Sequence, residues 1–165
     1  ASLNLVKIYR ESFKLNCVTG ILFNHESSLR KDNFVTQKII KSAIDIKRKK
    51  YSKLELGNLS IIRDWGWAPE YVEAMQLILR DVENKDQIIC TGQKNSLNYF
   101  VQTVFEKLDL NWEKHIQINK KLFRENEIMQ SYGNPEKLFK DLGWRSKVKI
   151  ESMIEMMIDD NLKEI

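Results

Sequence analysis

The stretch CVTGILFN, residues 17–24, decides the fold of this chain. Its aliphatic and β-branched side chains form a continuous apolar run, which predicts a short strand buried on both faces. The polar cluster HESSLRKDN at 25–33 predicts a loop, and apolar residues on a helical period over about 34–50 predict a helix with Asp32 or Asn33 as its cap. Strand, loop and helix in this order indicate an α/β protein.

The rest of the chain continues this alternation, and QIICTG at 87–92 predicts a second buried strand. We expect a helix over 2–15 with Ser2 as its cap, and two extended pieces within LELGNLSIIRDWG at 54–66. A further helix is expected from Pro69, with Tyr71, Val72, Met75, Ile78 and Leu79 on its apolar face, and another from the cap Ser96 to Leu108. The remaining expected elements are an extended HIQIN at 115–119, a helix over 135–142 stopped by Gly143, and a last helix with Ile150, Met153, Ile154, Met157 and Ile158 on its apolar face. Two buried strands are too few for a doubly wound sheet, and no strand precedes the first helix. The pattern therefore predicts the second half of an open α/β enzyme.

The composition indicates a packed globular protein of one domain or part of one. Of 165 residues, 42% are apolar and 30% charged, with 6 Gly and 2 Pro, which excludes collagen-like, low-complexity and largely disordered chains. Lys and Arg outnumber Asp and Glu by 27 to 23, too small an excess for a dedicated nucleic-acid-binding protein. The sequence shows no membrane-spanning run and no apolar signal peptide. We expect a cytoplasmic protein without a membrane partner, with Cys17 and Cys90 as reduced thiols in the two buried strands.

Several common catalytic and binding motifs are absent from the sequence. The six glycines, at positions 20, 57, 66, 92, 133 and 143, form neither GxGxxG nor GxxxxGK[ST], so the usual backbone cradles for phosphate are missing. The two histidines, at 25 and 115, and the two separated cysteines match no metal-binding pattern. No Ser or Cys lies on a nucleophile elbow of the GxSxG kind. We expect no metal site in this chain.

Polar residues that follow strand ends are the remaining candidates, because open α/β sheets bind their ligands there. Asn24 follows GILF, and its amide can bridge a ligand oxygen and a backbone group, or it can simply satisfy the start of a loop. Arg63 suits a diphosphate, or it forms a surface pair with Asp64. Arg124 and Glu127 can converge on one ligand group or remain a solvated pair.

Eight short motifs occur in one order along nearly the whole chain: GILFNHES (20–27), NFVTQKI (33–39), LGN (56–58), RDWG (63–66), EYVEAM (70–75), TG (91–92), FRENE (123–127) and LGW (142–144). In this order they resemble the second half of the GDP-mannose 4,6-dehydratase family, which has an extended short-chain dehydrogenase fold. The resemblance implies an α/β fold in which residues 1–165 form the last strands and helices of a Rossmann-like, NAD(P)-binding sheet together with the smaller substrate-binding lobe. The Gly-rich NADP loop, the catalytic Thr and Glu and the Tyr-xxx-Lys pair would lie before Ala1, so this chain would hold no catalytic residue and would be inactive alone.

The activity that the resemblance implies is that of a lyase with NADP as its cofactor. Such an enzyme converts GDP-mannose to GDP-4-keto-6-deoxymannose, a step towards GDP-fucose or a related deoxysugar, and the family's oligomers imply a homodimer or homotetramer. Two alternatives stay open. One is another enzyme of the same fold, a GDP-keto-sugar reductase or epimerase, and the other is a module that binds a nucleotide sugar or supports oligomerisation without chemistry.

The resemblance also implies roles for individual residues. Asn24 would contact the substrate near its phosphates, Val35 and Lys38 the guanosine end, Arg63 the diphosphate, Arg124 a phosphate and Glu127 the ribose hydroxyls, while His25 and Arg30 would face NADP. The chain departs from the family pattern at Ser28 and Leu29, where Pro and Arg are usual, so we expect a looser segment around Arg30. Glu125 replaces another usual Pro and would weaken the phosphate contact of Arg124.

Overall fold

The computed structural model describes residues 2–83 and 85–163 of the chain. Helices alternate with short strands along these residues. In chain order the elements are α1 (Ser2–Phe13), β1 (Gly20–Leu22), β2 (Asn24–Glu26), α2 (Val35–Lys47), β3 (Leu54–Leu56), β4 (Ile62–Arg63), β5 (Trp65–Trp67), α3 (Ala68–Arg80), β6 (Gln87–Ile89), β7 (Asn95–Ser96), α4 (Leu97–Lys107), α5 (Trp112–His115), β8 (Ile116–Ile118), a 3₁₀ turn (Lys120–Leu122), β9 (Gln130–Ser131), α6 (Glu136–Leu142) and α7 (Ile150–Lys163). The expected α/β class is confirmed.

Most strand pairs are parallel and join segments that are far apart in the sequence. β1 pairs with β6, β2 with β5, β3 with β8 and β4 with β9, all in parallel. β7 lies antiparallel on the other side of β4. Parallel partners need long crossover connections, and α2 and α3 lie in the connections between β2 and β5 and between β1 and β6.

Residues 20–26 form two strands, β1 and β2, which pair with different partners. The prediction of one strand over residues 17–24 followed by a loop is therefore wrong. Phe23 still donates to Ile89 O (3.0 Å) and so extends the pairing of β1 with β6. The next residues form β2, because Asn24–Glu26 pair with Trp65–Trp67. His25 and Glu26 therefore lie in a strand, although their polarity predicts the start of a loop.

The two cysteines are free thiols, as expected. Cys90 follows β6 and is fully buried, and burial raises the pKa of its thiol to about 12. Cys17 precedes β1, is partly exposed and donates to Val6 O of α1 (3.5 Å). The prediction that both cysteines lie in buried strands is therefore wrong: Cys17 lies before β1, and Cys90, although buried as expected, lies one residue after β6.

The apolar core has two parts. The larger part lies between α2, α4 and α7, and it contains all five apolar residues that the sequence predicts for α7. The smaller part consists of Tyr71, Ala74, Ile78, Ile89, Leu138 and Trp144. The predicted apolar face of α3 is only partly correct, since Tyr71 and Ile78 are buried whereas Val72, Met75 and Leu79 are exposed.

The helix caps follow the prediction in α4 and α6 but not in α2. Ser96 Oγ accepts from the N–H of Tyr99 (3.1 Å) at the start of α4, and Gly143 ends α6 with a φ of 69°, which only glycine adopts without strain. The cap of α2 is Phe34, without a side-chain hydrogen bond. The predicted cap Asp32 instead pairs with Lys41 (2.6 Å).

The expected first helix, α1, has few contacts with the rest of the described chain. It buries none of its residues, and Leu5, Ile8 and Phe13 are more than half exposed. Arg10 attaches it by donating to Cys17 O (2.7 Å) and to the Asp86 carboxylate (2.5 Å). Neither α1 nor another helix within residues 2–83 and 85–163 combines the length and apolarity that a membrane span requires.

Candidate functional site

A cavity of about 560 Å³ opens between the start of α2, the ends of β3 and β4 and the segment that follows the 3₁₀ turn. This volume lies within the usual range of small-molecule sites. The wall combines cationic, amide and apolar side chains and is formed by Asn24, Arg30, Asn33, Phe34, Val35, Lys38, Leu56, Gly57, Asn58, Ile61, Arg63, Trp65, Leu97, Leu122, Arg124 and Glu127. We call this cavity the pocket.

The pocket brings together the six residues that the sequence predicts for substrate binding. Residues from four separate segments meet there, namely Asn24, Val35 with Lys38, Arg63, and Arg124 with Glu127. Arg30, predicted for the cofactor side, lines the same pocket. His25 does not belong to this wall, because neighbouring side chains of a strand point to opposite faces.

His25 lies against Tyr71 on the other face of β2. The ring centroids are 5.1 Å apart, and His25 Nδ1 is 2.9 Å from the carbonyl oxygen of Phe23. A carbonyl oxygen only accepts, so Nδ1 carries the hydrogen in this contact. Gly66 pairs with His25 across the β2–β5 ladder and gives the Tyr71 ring its space.

Arg63 is largely buried in the pocket wall and is oriented by two groups. Its Nη1 donates to Ile62 O (2.8 Å), and its Nη2 lies 3.7 Å from Glu127 Oε1. The side chains of Arg63 and Glu127 are only 16% and 17% exposed, so the pair is partly shielded from water. The alternative that Arg124 and Glu127 form a solvated pair does not match this geometry, since Glu127 faces Arg63 while Arg124 is exposed at the rim beside Glu125.

Asp64 is fully buried and does not form the surface pair with Arg63 that the sequence left open. Its Oδ1 accepts from the N–H (2.9 Å) and the hydroxyl (2.7 Å) of Thr91, and its Oδ2 accepts from the N–H of Gly92 (2.8 Å) and of Gly133 (3.4 Å). One carboxylate therefore holds the turn after β6 and the segment after β9 against the bend between β4 and β5. This fixes the backbone that carries Arg63.

Glu26 and Phe34 hold Arg30 from two sides. Glu26 is 2% exposed, its Oε2 lies 3.2 Å from Arg30 Nε, and it accepts a hydrogen bond from the hydroxyl of Thr36 (2.8 Å). The Arg30 guanidinium lies 3.6 Å above the centre of the Phe34 ring. Burial raises the pKa of Glu26, although Thr36 and Arg30 oppose this shift.

The segment that carries Arg30 is anchored where we expected it to be loose. Ser28 Oγ donates to Asp160 Oδ2 (3.0 Å), a contact that a proline in this position cannot make. Lys38, at the opposite side of the pocket, donates to Glu55 O (3.0 Å), which fixes its ammonium group above β3.

The sequence missed Asp64 and Glu26 as parts of this site. Their hydrogen-bond partners Thr91 and Gly133, and Thr36, lie ten to sixty-nine residues away, so no local pattern reveals them. The period of two within β2 would have pointed to Glu26, since it shares a strand face with Asn24.

The charges and shape of the pocket suit an anionic ligand with hydroxyl groups. Arg30, Lys38, Arg63 and Arg124 contribute four cations, and Arg guanidinium groups bind phosphate oxygens in bidentate fashion. Glu127 accepts hydrogen bonds, and Asn24 both donates and accepts. Among the described residues, no group of three His, Cys, Asp or Glu side chains is arranged to hold a metal ion.

Comparison with known proteins agrees with the resemblance drawn from the motifs. A family model for GDP-mannose 4,6 dehydratase matches residues 1–157. GDP-mannose 4,6 dehydratases 1 and 2 of Arabidopsis thaliana are 41% and 40% identical to the chain over 155 residues. These residues make up 94% of this chain but 43% and 42% of the two relatives, so the chain spans less than half of their length.

A solved structure shows the same fold at low sequence identity. RMD from Pseudomonas aeruginosa, determined in complex with NADPH, matches 100% of this chain with a TM-score of 0.89 and 18% identity. The match covers 54% of the RMD chain. The expected extended short-chain dehydrogenase fold is therefore confirmed for this chain, which corresponds to about half of it.

Proposed function

Because the chain belongs to the GDP-mannose 4,6-dehydratase family, we propose that it is the C-terminal half of such an enzyme and that its pocket binds GDP-mannose. The whole enzyme would convert GDP-mannose to GDP-4-keto-6-deoxymannose, with NADP as its cofactor. This proposal rests on one observation: all six residues predicted to bind the substrate line the same cavity.

The pocket supports a distinct role for each part of its wall. Arg63 is fixed by Ile62 O and is suited to the diphosphate, with Arg124 at the rim as a second phosphate contact. Glu127 lies beside Arg63 and would accept from the ribose hydroxyls. Val35 and Lys38, at the start of α2, would border the guanosine.

Arg30 shares the pocket with these residues, so we assign it to a phosphate of the ligand bound there rather than to the cofactor side alone. Its guanidinium is already oriented by Glu26 and Phe34 and loses little further conformational freedom on binding.

A nicotinamide cofactor would supply hydride transfer to the whole enzyme. The chain's own contribution would come from His25, whose ring is held by the contact between Nδ1 and Phe23 O. With Nδ1 donating in that contact, Nε2 would be the ring atom that accepts from the amide N–H of a carboxamide group.

The catalytic groups of the family would lie in the half that this chain does not span. Two described surfaces fit contact with that half: the edge of β1 opposite β6, and the apolar face of α1. We expect the 165-residue chain alone to convert no GDP-mannose.

Titration calorimetry with the full-length protein that contains this chain tests the substrate. We expect saturable binding of GDP-mannose and of GDP, and none of dTDP-glucose. Arg63→Ala should abolish most of the affinity, while Arg145→Ala, an exposed residue beside Glu136, should bind like the wild type. Equal binding of dTDP-glucose, or no effect of Arg63→Ala, would contradict the assignment of the pocket.

The reaction itself is tested by mass spectrometry of the product. Loss of one water from GDP-mannose at constant redox state indicates the dehydratase. With GDP-4-keto-6-deoxymannose and NADPH supplied instead, a product that has gained two hydrogens would indicate the reductase alternative. An isomer of unchanged mass would indicate an epimerase. Binding of GDP-mannose without any product from either nucleotide sugar would leave the module that binds a nucleotide sugar without chemistry.

A further inference from the structure

We propose that the last turn of α7 is a positioning element for the pocket, acting through four side chains that we call the α7 latch: Ser28, Gln37, Asp160 and Asn161. The inference rests on the proposed function, because the ligand whose binding it would change is the one assigned to the pocket.

The latch joins the C-terminal helix to the loop between β2 and α2 by a chain of hydrogen bonds. Ser28 Oγ donates to Asp160 Oδ2 (3.0 Å). Gln37 Nε2 donates both to Asn161 Oδ1 (2.9 Å) and to Ser28 O (3.2 Å). Ser28 is therefore held by its hydroxyl and by its carbonyl oxygen, from two directions.

The inner part of the latch is buried, which makes its hydrogen bonds costly to break. Gln37 and Asn161 are 0% and 1% exposed. Asn161 Nδ2 donates to Met157 O (2.7 Å), so its amide cannot flip and Oδ1 must face Gln37. A buried donor that loses its partner pays a full desolvation penalty, and so this arrangement has one defined geometry.

The latch reaches the pocket through a tight turn. The N–H of Arg30 donates to Ser27 O (3.0 Å), which makes Ser28 the second residue of the turn that presents Arg30. Because the guanidinium lies between Glu26 and the Phe34 ring, a shift of the turn would change the direction in which Arg30 enters the pocket. Fixing Ser28 therefore fixes Arg30.

One contact of the latch depends on a position where this chain departs from the usual family pattern. That position is Ser28, and its hydroxyl makes the contact with Asp160.

The experiment uses the full-length protein with Ser28→Ala and Asp160→Ala, and with Asp159→Ala as the matched control on the exposed side of the same helix turn. Binding of GDP-mannose and of inorganic pyrophosphate is measured by calorimetry, and folding is checked by the thermal midpoint. We expect Arg30→Ala to weaken binding, Ser28→Ala and Asp160→Ala to weaken it about three- to tenfold, as for one lost hydrogen bond, and Asp159→Ala to have no effect. Ser28→Thr keeps the hydroxyl and should restore most of the affinity.

A double-mutant cycle separates positioning from a general loss of stability. If Ser28 acts through Arg30, Ser28→Ala should add nothing in an Arg30→Ala background. Unchanged binding in both latch variants, no effect of Arg30→Ala, or an effect of Ser28→Ala that persists without Arg30 would each overturn the proposal. Failure of the wild type to bind GDP-mannose would instead contradict the proposed function. The pyrophosphate affinities of the wild type and the variants would still test the latch.

Discussion

The guanidinium group of Arg63 is oriented by Ile62 O and Glu127, and this constraint predicts a strict requirement for arginine. Lysine keeps the charge but cannot donate to Ile62 O and also present two parallel N–H groups to a diphosphate. We expect Arg63→Lys to weaken GDP-mannose binding about 10- to 100-fold, as for the loss of charge-assisted hydrogen bonds. Calorimetry measures the change, with Arg145→Lys as the exposed control. Binding within twofold of the wild type would show that charge alone suffices.

Gly66 is required because a methyl group in its place would overlap a buried ring. A Cβ at this position would lie 2.3 Å from Cε2 of Tyr71, and Tyr71 is fully buried between His25 and Trp144. We expect Gly66→Ala to lower the free energy of unfolding by about 1–3 kcal/mol or more, the usual cost of overpacking. Urea denaturation measures this loss.

Gly20→Ala is the matched control, since a Cβ there meets its nearest atoms at 3.5 Å, an ordinary contact. The interpretation would be wrong if both variants lost the same stability.

The raised pKa of Glu26 predicts an unusual pH dependence of the free energy of unfolding. Burial raises the pKa of its carboxyl above the ordinary 4.5, so the native state keeps a proton that the unfolded state has lost. The stabilising contribution is therefore complete below pH 4.5 and is lost as the pH rises through the raised pKa. Glu26→Gln mimics the protonated form and should remove this part of the pH dependence. Unfolding free energies measured from pH 4 to pH 8 test this, with exposed Glu73→Gln as a control that keeps the wild-type slope.

At the scale of single residues, the sequence predicted residues that line the pocket but not the residues that support them. Arg63 and Arg30 could be named from their motifs, because ligand-binding types recur at fixed positions in a family. Asp64 and Glu26 could not, because their roles depend on hydrogen bonds to Thr91 and Thr36, which only the fold brings close.

Among the elements, α1 depends on a small polar attachment centred on Arg10, which donates to Cys17 O and to the Asp86 carboxylate. Burial of the Asp86 carboxyl is outweighed by hydrogen bonds from Arg10 and from the Thr19 N–H, which lower its pKa. We expect Asp86→Asn to weaken this attachment and to speed hydrogen exchange of the α1 amides about tenfold, while α2 is unaffected. Exchange followed by mass spectrometry measures it. Glu83→Gln in the same loop is the control, and unchanged α1 protection in Asp86→Asn would place the attachment elsewhere.

Elements with strong local signals could be predicted from the sequence, and elements set by distant partners could not. The cap at Ser96 and the left-handed stop at Gly143 depend on neighbouring residues only, and both are confirmed. β2 was missed because its partner Trp65–Trp67 lies about forty residues away and overrides the local polarity of Asn24–Glu26.

The apolar face of α3 was predicted too wide for the same reason. The smaller core cluster contains Tyr71 and Ile78, whereas Val72 and Leu79 belong to neither core cluster and stay 49% and 60% exposed. Periodicity predicts which residues can be buried, but neighbouring elements decide which of them are.

At the scale of the whole molecule, two apolar surfaces of the described chain stay uncovered. β1 pairs with β6 along one edge, and its Ile21 is 44% exposed. The apolar side chains of α1 form the second surface. Exposed strand edges and apolar patches of this kind favour association with other chains. Both surfaces agree with the proposal that the chain is half of a larger enzyme.

The isolated chain should therefore self-associate, and charged residues on these two surfaces should prevent it. A lysine at a strand edge blocks edge-to-edge pairing, so we expect Ile21→Lys combined with Ile8→Glu to shift the chain towards monomer. Sedimentation velocity over a range of concentrations measures the distribution of monomer and larger species. Leu29→Lys is the control, since Leu29 is equally apolar and 86% exposed but lies on neither surface.

A wild-type chain that stays monomeric at every concentration would show that α1 and the β1 edge need no cover, which would remove the structural support for a missing half. Association that persists in the double variant but is lost in Leu29→Lys would move the contact to the loop before α2.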